Sequence, residues 1–399
     1  MKPRVLVITT YYYPVLGGVE THARQLATHL HDAGFGVEVV TKRVGRDDET
    51  EALVDGVPVH RVGPPGERSA RGKWVALPAF SRAILARASR FDVIVCIDYR
   101  GIGVGAVAAG RLLGKPVIVQ GETAGVLAGA VIGSNSGLPP ESAATRLLKA
   151  PVRAIYRRAH HVVCIGRDLE REALRAAIPR DRVHYLPPGV DVERFRPPMP
   201  GERERIRAEL GWPADRQIVL FVGRLSVEKG VMDLIEAWRL ADRRDAVLAM
   251  VGPDMTGHPW DVGVAGRAYV AEHGLADRVR FEGPTSDTAP CFRAADVYVQ
   301  PSHFEAFGSS AIEALASGLP AVASGVGGLG DFLIDGENAL LHEPRSTQSL
   351  AAALNRMLDD GPLRARLSKA GRQTATDQFE IHALLDRFAR LIESTVERR

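Results

Sequence analysis

Residues 217–230 read QIVLFVGRLSVEKG. An apolar, β-branched run ends in a glycine and a short charged loop. Val231, Leu234, Ile235 and Trp238 then recur at the spacing of one helix face, and AVLAMVG (246–252) is a second apolar run. Strand, loop, helix and strand make a βαβ unit, and strands this uniformly apolar are buried on both faces of a parallel sheet. Ligands bind such sheets outside the carboxyl ends of the strands. The loop puts Arg224 and Lys229 at that end of its strand.

The pattern extends in both directions. VRFEG (279–283), DVYVQPS (296–302) and PAVASG (320–325) continue it toward the C-terminus. RVLVITT (4–10), GVEVVT (36–41), DVIVCID (92–98), KPVIVQG (115–121) and HVVCIG (161–166) repeat it in the first half, with Val19, Ala23, Leu26, Ala27 and Leu30 on a helix face after the first strand. Between the halves lies YLPPGVDVERFRPPMPGERERI (185–206), rich in proline and charge as a linker should be. The pattern predicts an α/β chain with two doubly wound, Rossmann-like parallel-sheet domains. Residues 1–190 form the first and 191–377 the second, with a cleft between them. The amphipathic stretch FEIHALLDRFARLIESTV (379–396) predicts a long helix, and 378–399 is expected to pack back on the first domain. Residues 123–145, rich in Gly, Ala and Ser, read as a loop region.

Composition narrows the function. Of 399 residues, 45% are hydrophobic and 25% charged, which is ordinary for a soluble globular protein. Lys and Arg number 51 against 48 Asp and Glu. An excess of three is too mild to argue for nucleic acid. Three cysteines without C-x-x-C spacing predict neither a disulfide framework nor a zinc site, so a reducing cytoplasm is expected. The N-terminal apolar run is too short for a signal peptide, and no stretch reaches the ~18 apolar residues of a membrane span. A basic amphipathic pattern at 149–159 (Lys149, Arg153, Arg157 and Arg158 beside Val152, Ile155, Tyr156 and Ala159) would suit a short helix lying on the inner face of an anionic membrane.

Four motifs carry chemistry. In GRLSVEKG (223–230), Arg224 and Lys229 converge where a helix N-terminus begins, an arrangement suited to a diphosphate. In YYYPVLGGVETHA (11–23), Gly17 and Gly18 allow an anion to approach the start of a helix. In FEAFGSSAIEALASGLP (304–320), Glu305 and Glu313 stand among small and apolar residues, where an unpaired buried carboxylate is costly. Ser310-x-x-Glu313 also fits a capping box, so ligand and cap both remain open for Glu313. Finally, Gly101, Gly103 and Ala106 fit G-x-G-x-x-A, with Glu122 about 20 residues on. That motif supports an alternative, a nicotinamide-dependent oxidoreductase. It normally follows the first strand of its domain, and here at least two strands precede it. No residue pattern asks for a metal.

Together these motifs resemble the retaining GT-B glycosyltransferases, specifically glycosyltransferase family 4, over nearly the whole chain. YYYPVLGGVE resembles the family's N-terminal glycine loop, and GVDVERFRP its interdomain motif, with Pro188 where Asn often stands. GRLSVEKG is similar to its phosphate clamp, and PSHFEAFGSSAIEALASGLPAVAS to its E-x7-E signature. The resemblance implies transfer of a hexose from a nucleotide-diphosphate sugar to the hydroxyl of a lipid, glycan or small-molecule acceptor, with no metal and no cofactor. It implies a donor site of Gly17, Gly18, Gly223, Arg224, Lys229, Gly283, Glu305, Ala306, Phe307, Gly308, Ser309 and Glu313. Within it Arg224 and Lys229 would hold the diphosphate, Glu305 the sugar and Glu313 the ribose. Where the family carries a histidine near the sugar, this chain reads VIVQGETAG, so Gln120 and Glu122 are the acceptor-side candidates. A non-catalytic nucleotide-sugar-binding protein is the remaining alternative.

Overall fold

The computed structural model describes residues 2–15, 17–66, 76–97, 101–122, 147 and 150–398. The chain divides into two compact units. One takes the described residues up to Pro188 together with the chain from His382; the other is Gly189–Ile381. The stretch 123–145 and Lys149 lie outside the described residues.

Among the described residues the first unit has eight strands: β1 (Arg4–Thr9), β2 (Gly36–Lys42), β3 (Glu51–Val54), β4 (Val57–Val62), β5 (Val93–Ile97), β6 (Val117–Gly121), β7 (His161–Cys164) and β8 (Val183–Tyr185). Their order is β3-β4-β2-β1-β5-β6-β7-β8. β1 lies inside the sheet, with Val5 beside both Val37 and Val93. Helices α1 (Gly18–Asp32), α2 (Leu77–Ala86), α3 (Ile102–Leu112), α4 (Ala150–Tyr156) and α5 (Arg167–Arg175) flank these strands in the chain. β3 pairs antiparallel with β4, a departure from the all-parallel expectation. The hairpin turns at Asp55 and Gly56, both at positive φ, as a two-residue type I′ turn requires. Its Asp-Gly pair was the sequence signal for strands that the βαβ pattern passes over.

In the second unit, α6 (Glu202–Leu210) precedes β9 (Gln217–Val222), α7 (Val231–Ala241), β10 (Ala246–Val251), α8 (Gly263–Glu272), β11 (Val279–Gly283), α9 (Ala289–Ala294), β12 (Val297–Gln300), α10 (Ser309–Ala316), β13 (Ala321–Ser324), β14 (Leu340–His342), α11 (Thr347–Asp359) and α12 (Gly361–Phe379). The sheet is wholly parallel, in the order β11-β10-β9-β12-β13-β14. Val231, Leu234, Ile235 and Trp238 are all fully buried against it, as their spacing predicts. The Trp238 indole N–H finds the Arg278 carbonyl at 3.1 Å, so this large ring is buried without an unmet donor.

The C-terminal stretch is a single long helix, as its amphipathic pattern predicts. α12 stops at Phe379 and α13 (Ile381–Glu397) follows, with Glu380 extended between them. Glu380 forms a parallel bridge with Val190. Val190 N–H donates to the Phe379 carbonyl, and the Val190 carbonyl accepts from Ile381 N–H. A Cβ on Gly189 would lie 2.4 Å from the Ile381 backbone, so only glycine lets the two segments pair. In the first unit, α13 is tied by Lys2–Glu393 at 2.6 Å and His29–Asp386 at 2.8 Å.

The described basic residues of the 149–159 stripe do not share one exposed face. α4 is seven residues long and buries Arg153 at its centre, with Arg157 and Arg158 exposed beyond its end. Arg153 therefore does not contribute to an exposed basic face. No helix among the described residues is long and apolar enough to cross one. Cys96, Cys164 and Cys291 are buried.

Candidate active site

The second unit collects its candidate residues on the loops after β9, β11 and β12. Glycines set how closely these loops approach. Gly223 N–H donates to Val251, and Gly252 N–H donates to Gly283. A Cβ on Gly252, at φ 149°, would lie 1.9 Å from the Gly223 carbonyl oxygen. Gly230 caps α7 at φ 67°, and a Cβ there would lie 2.1 Å from the Pro301 carbonyl oxygen. The clamp loop therefore rests on the backbone of the loop after β12. His303 N–H donates to Glu228 at 2.8 Å, and the His303 ring meets Asp233 at 2.7 Å.

Two cations stand on the clamp loop in different settings. Arg224 is half exposed and paired with Glu228. Lys229 is largely covered, and its Nζ lies 2.5 Å from Glu305 Oε1. The same oxygen accepts Gln300 Nε2 at 2.5 Å and Ser302 Oγ at 2.9 Å. Gln300 in turn accepts the hydroxyl of the fully buried Tyr298 at 2.9 Å. A carboxylate only 7% exposed is tolerable because three donors, one of them charged, converge on it. All three address Oε1; among the described residues Oε2 accepts from none.

Beyond Glu305 the chain turns into α10. Phe307 is buried against Phe332 and Phe379, fixing the loop. Gly308, at φ 102°, caps the helix. Its Cβ position is 2.4 Å from the Leu329 side chain. The backbone N–H groups of Ala306, Phe307 and Gly308 have no partner among the described residues. Ser309 opens the first turn, where helix N–H groups are unmet by geometry. Unmet N–H groups beside a helix N-terminus form an anion- and hydroxyl-accepting surface.

Glu313 is not a capping residue. The N-cap is Gly308, and the Ser310 hydroxyl turns to Tyr298 at 2.8 Å. Glu313 sits in the second turn, partly buried. Burial pushes its carboxyl up to about 8, opposed only by the charge of Arg194. No hydrogen-bond donor satisfies it among the described residues.

In the first unit, Gly17 stands in extended backbone before α1, and the Cβ site of Gly18 faces open space. The Glu20 carboxylate folds over Gly17, placing negative charge at the helix N-terminus. An incoming anion there has Glu20 to displace. Gln120 lies one residue before the end of β6, fully buried. Its Nε2 donates to Glu122 at 2.5 Å, and its Oε1 lies 3.3 Å from His22 Nε2. Burial holds His22 down at about 4, so the ring is neutral and its Nε2–H is the donor. The structure thus joins Gln120 and Glu122 to His22, which lies on the same stripe of α1 as Ala23 and Leu26 and which no sequence motif singles out. A polar side chain at one buried turn of that stripe was the available signal. Gln300, Ser302 and Glu228 were also missed; Tyr298 and Gln300 fall on one face of β12 by strand alternation.

Gly105 and Gly110 of α3, neither of them part of the fingerprint-like motif, serve packing. A Cβ on Gly105 would meet Leu77 at 2.7 Å, and one on Gly110 would meet Val117 at 2.2 Å. No group of three or more potential metal ligands occurs among the described residues.

Two parallel-sheet α/β units with their charged loops at strand carboxyl ends define a GT-B glycosyltransferase fold. Sucrose-phosphate synthase from Thermosynechococcus elongatus matches it with a TM-score of 0.80 and 26% identity, over 99% of this chain and 100% of that one. Residues 16–194 match the model described as Glycosyltransferase Family 4, and residues 202–374 the one described as Glycosyl transferases group 1. D-inositol 3-phosphate glycosyltransferase 1 of Catenulispora acidiphila is 30% identical over 398 residues, 96% of this chain and 91% of the relative. The D-inositol 3-phosphate glycosyltransferase of Thermomonospora curvata is 34% identical over 374 residues, 88% of this chain and 85% of the relative. The chain belongs to glycosyltransferase family 4 and is a glycosyltransferase, which displaces the oxidoreductase alternative.

Proposed function

We propose that the second unit binds a nucleotide-diphosphate sugar and that the enzyme transfers its hexose, with retention and without a metal, to an acceptor hydroxyl. The observation that carries this reading is the Lys229–Glu305 pair at 2.5 Å, which sets a cation for phosphate beside a carboxylate with one free oxygen. Arg224 and Lys229 take the diphosphate, and the N–H groups of Ala306, Phe307 and Gly308 take sugar oxygens. Glu305 Oε2 accepts from a sugar hydroxyl. Glu313 accepts the ribose hydroxyls, and Gly223 and Gly283 border the nucleotide.

In the transfer step the acceptor oxygen bonds to the anomeric carbon as the bond from that carbon to the phosphate oxygen breaks. The acceptor proton passes to the departing phosphate. Charge accumulates on the leaving diphosphate, where preorganised cations lower the barrier most. Glu305 favours the cationic sugar. Gly17, Gly18, Gln120 and Glu122 are proposed for the substrate side of the first unit, with Glu122 in place of the family's histidine. The reading is tested by thermal-shift screening of UDP-, GDP- and ADP-sugars and NADH with chelator present, followed by the anomeric configuration of the product. A ligand that binds only the fold raises the melting point. Stabilisation by one sugar nucleotide and a retained anomer support the reading; stabilisation by NADH alone, or an inverted product, contradicts it.

A further inference from the structure

The first unit carries a cationic cavity built from residues with no part in the site above. It encloses about 610 Å³ and lies beside β8. β8 ends the strand order, so no described strand pairs its outer edge. One wall is Arg167 and Glu170 of α5 with Arg180 of the following turn; the other is Arg387 and Arg390 of α13, with Tyr185 lining the space between.

The charges are unbalanced. Arg167 and Arg180 both bind the Glu170 carboxylate, the first at 2.7 Å. Burial opposes the charge of Glu170, and the two guanidiniums still hold it below the usual carboxylate range. Arg167 is further fixed over the Tyr185 ring at 4.0 Å. Across the cavity, Arg387 reaches only the Tyr185 carbonyl, at 3.5 Å, and Arg390 has no ion-pair partner among the described residues. Four guanidiniums therefore face one carboxylate. Arg387 and Arg390 stand three apart on one helix, where like charges repel and cost stability. Concave, one-signed surfaces concentrate counter-ions. Local choices that oppose stability without compensation are expected at functional sites.

We propose that this cavity binds a phosphate ester, held by Arg387 and Arg390 with Arg180 opposite. Guanidinium forks match phosphate oxygens two at a time. The volume falls within the ~300–1,000 Å³ of small-molecule sites. Arg167 covers one face of the Tyr185 ring, and the remaining polar lining is mostly cationic, so charge selects the ligand. A sugar or polyol phosphate suits this chemistry, as does a phospholipid headgroup, and the experiment separates the two.

Inorganic pyrophosphate is titrated calorimetrically into the full chain carrying Arg224→Ala and Lys229→Ala, which removes the proposed donor clamp from the signal. Binding should persist on that background. Adding Arg387→Ala and Arg390→Ala should weaken it at least tenfold, and Arg180→Ala alone should weaken it several-fold. All three side chains are exposed, so melting temperatures should hold. In parallel, the natural chain is sedimented with phosphatidylcholine vesicles with and without phosphatidylglycerol. Recovery only with phosphatidylglycerol, lost in the Arg387→Ala, Arg390→Ala chain, supports a lipid headgroup. Arginine-dependent pyrophosphate binding without such recovery supports a soluble phosphate ester. Pyrophosphate binding that is absent on the clamp-free background or indifferent to the three arginines, together with no arginine-dependent vesicle recovery, overturns the proposal.

Discussion

Lys229 Nζ lies 2.5 Å from Glu305 Oε1, and this ion pair joins the loop after β9 to the loop after its neighbour β12. Both residues are more than four-fifths buried, whereas Arg224 is half exposed and answers only Glu228. The two clamp cations therefore differ in what they do for the fold.

Removing Lys229 leaves Glu305 buried without its counter-charge. Breaking a buried pair this way costs up to ~3–5 kcal/mol, whereas loss of an exposed pair costs about 0–1 kcal/mol. Lys229→Ala should lower both turnover, by ~10²–10³, and the urea midpoint. Arg224→Ala should lower turnover to a similar degree and leave the midpoint nearly unmoved. Equal midpoints for the two variants would contradict the assigned division.

Glu313 predicts a pH dependence with a definite sign. Its carboxyl ionises near 4.5 in the unfolded chain and near 8 in the fold. The fold binds the extra proton between those values, so this group's contribution to stability is present below 4.5 and is lost as pH rises toward 8. Ribose hydroxyls donate to the ionised form, so affinity for a sugar nucleotide should rise across pH 6 to 8, by at most tenfold per unit. Glu313→Gln should flatten both curves, weaken donor binding and leave the protein no less stable at pH 8. A capping residue would instead lose stability and leave donor KM alone; unfolding and KM measured across that pH range decide.

Gly230 is the point of closest approach between the two loops. Gly230→Ala combines a positive φ with a 2.1 Å clash against the Pro301 carbonyl. A left-handed non-glycine residue costs ~1–3 kcal/mol, and relief of the clash has to part the loops that carry Lys229 and Glu305. Stability should fall by more than 1–3 kcal/mol, and kcat should fall with it. Normal kcat in a folded variant would show that the loop contact does not set the site.

His22 gives the first unit an acid sensitivity. Its ring protonates near 6.5 unfolded and near 4 in the fold, because burial disfavours the cation. The unfolded chain binds the extra proton in that window, so stability should fall as pH drops from 6.5 to 4. His22→Asn removes the titrating ring and should reduce that slope in chemical denaturation. An unchanged slope would place the acid sensitivity elsewhere.

Much of the fold was legible because burial on both faces imprints a parallel strand as an unbroken apolar run. β9 with its helix face Val231, Leu234, Ile235 and Trp238 is the clearest instance. β3 and β4 alternate instead and needed their Asp-Gly turn to be read. β8 and β14, three residues each, are too short for a pattern. Glu305 and Lys229 were visible by type and place, but their contact arises from adjacent strands 76 residues apart in sequence. His22 was hidden because one polar residue in an apolar stripe does not reveal what faces it. Arg153 misled for the opposite reason, since charge alone does not show whether a side chain meets water.

The account rests on a nucleoside diphosphate held by Lys229. It is tested most directly by calorimetric titration of UDP, GDP and ADP into the natural chain and into Lys229→Ala, with chelator present throughout. We expect one of the three to bind the natural chain and the substitution to weaken it at least tenfold. Binding of none, binding only when a divalent metal is restored, or equal affinity in the two proteins would contradict it.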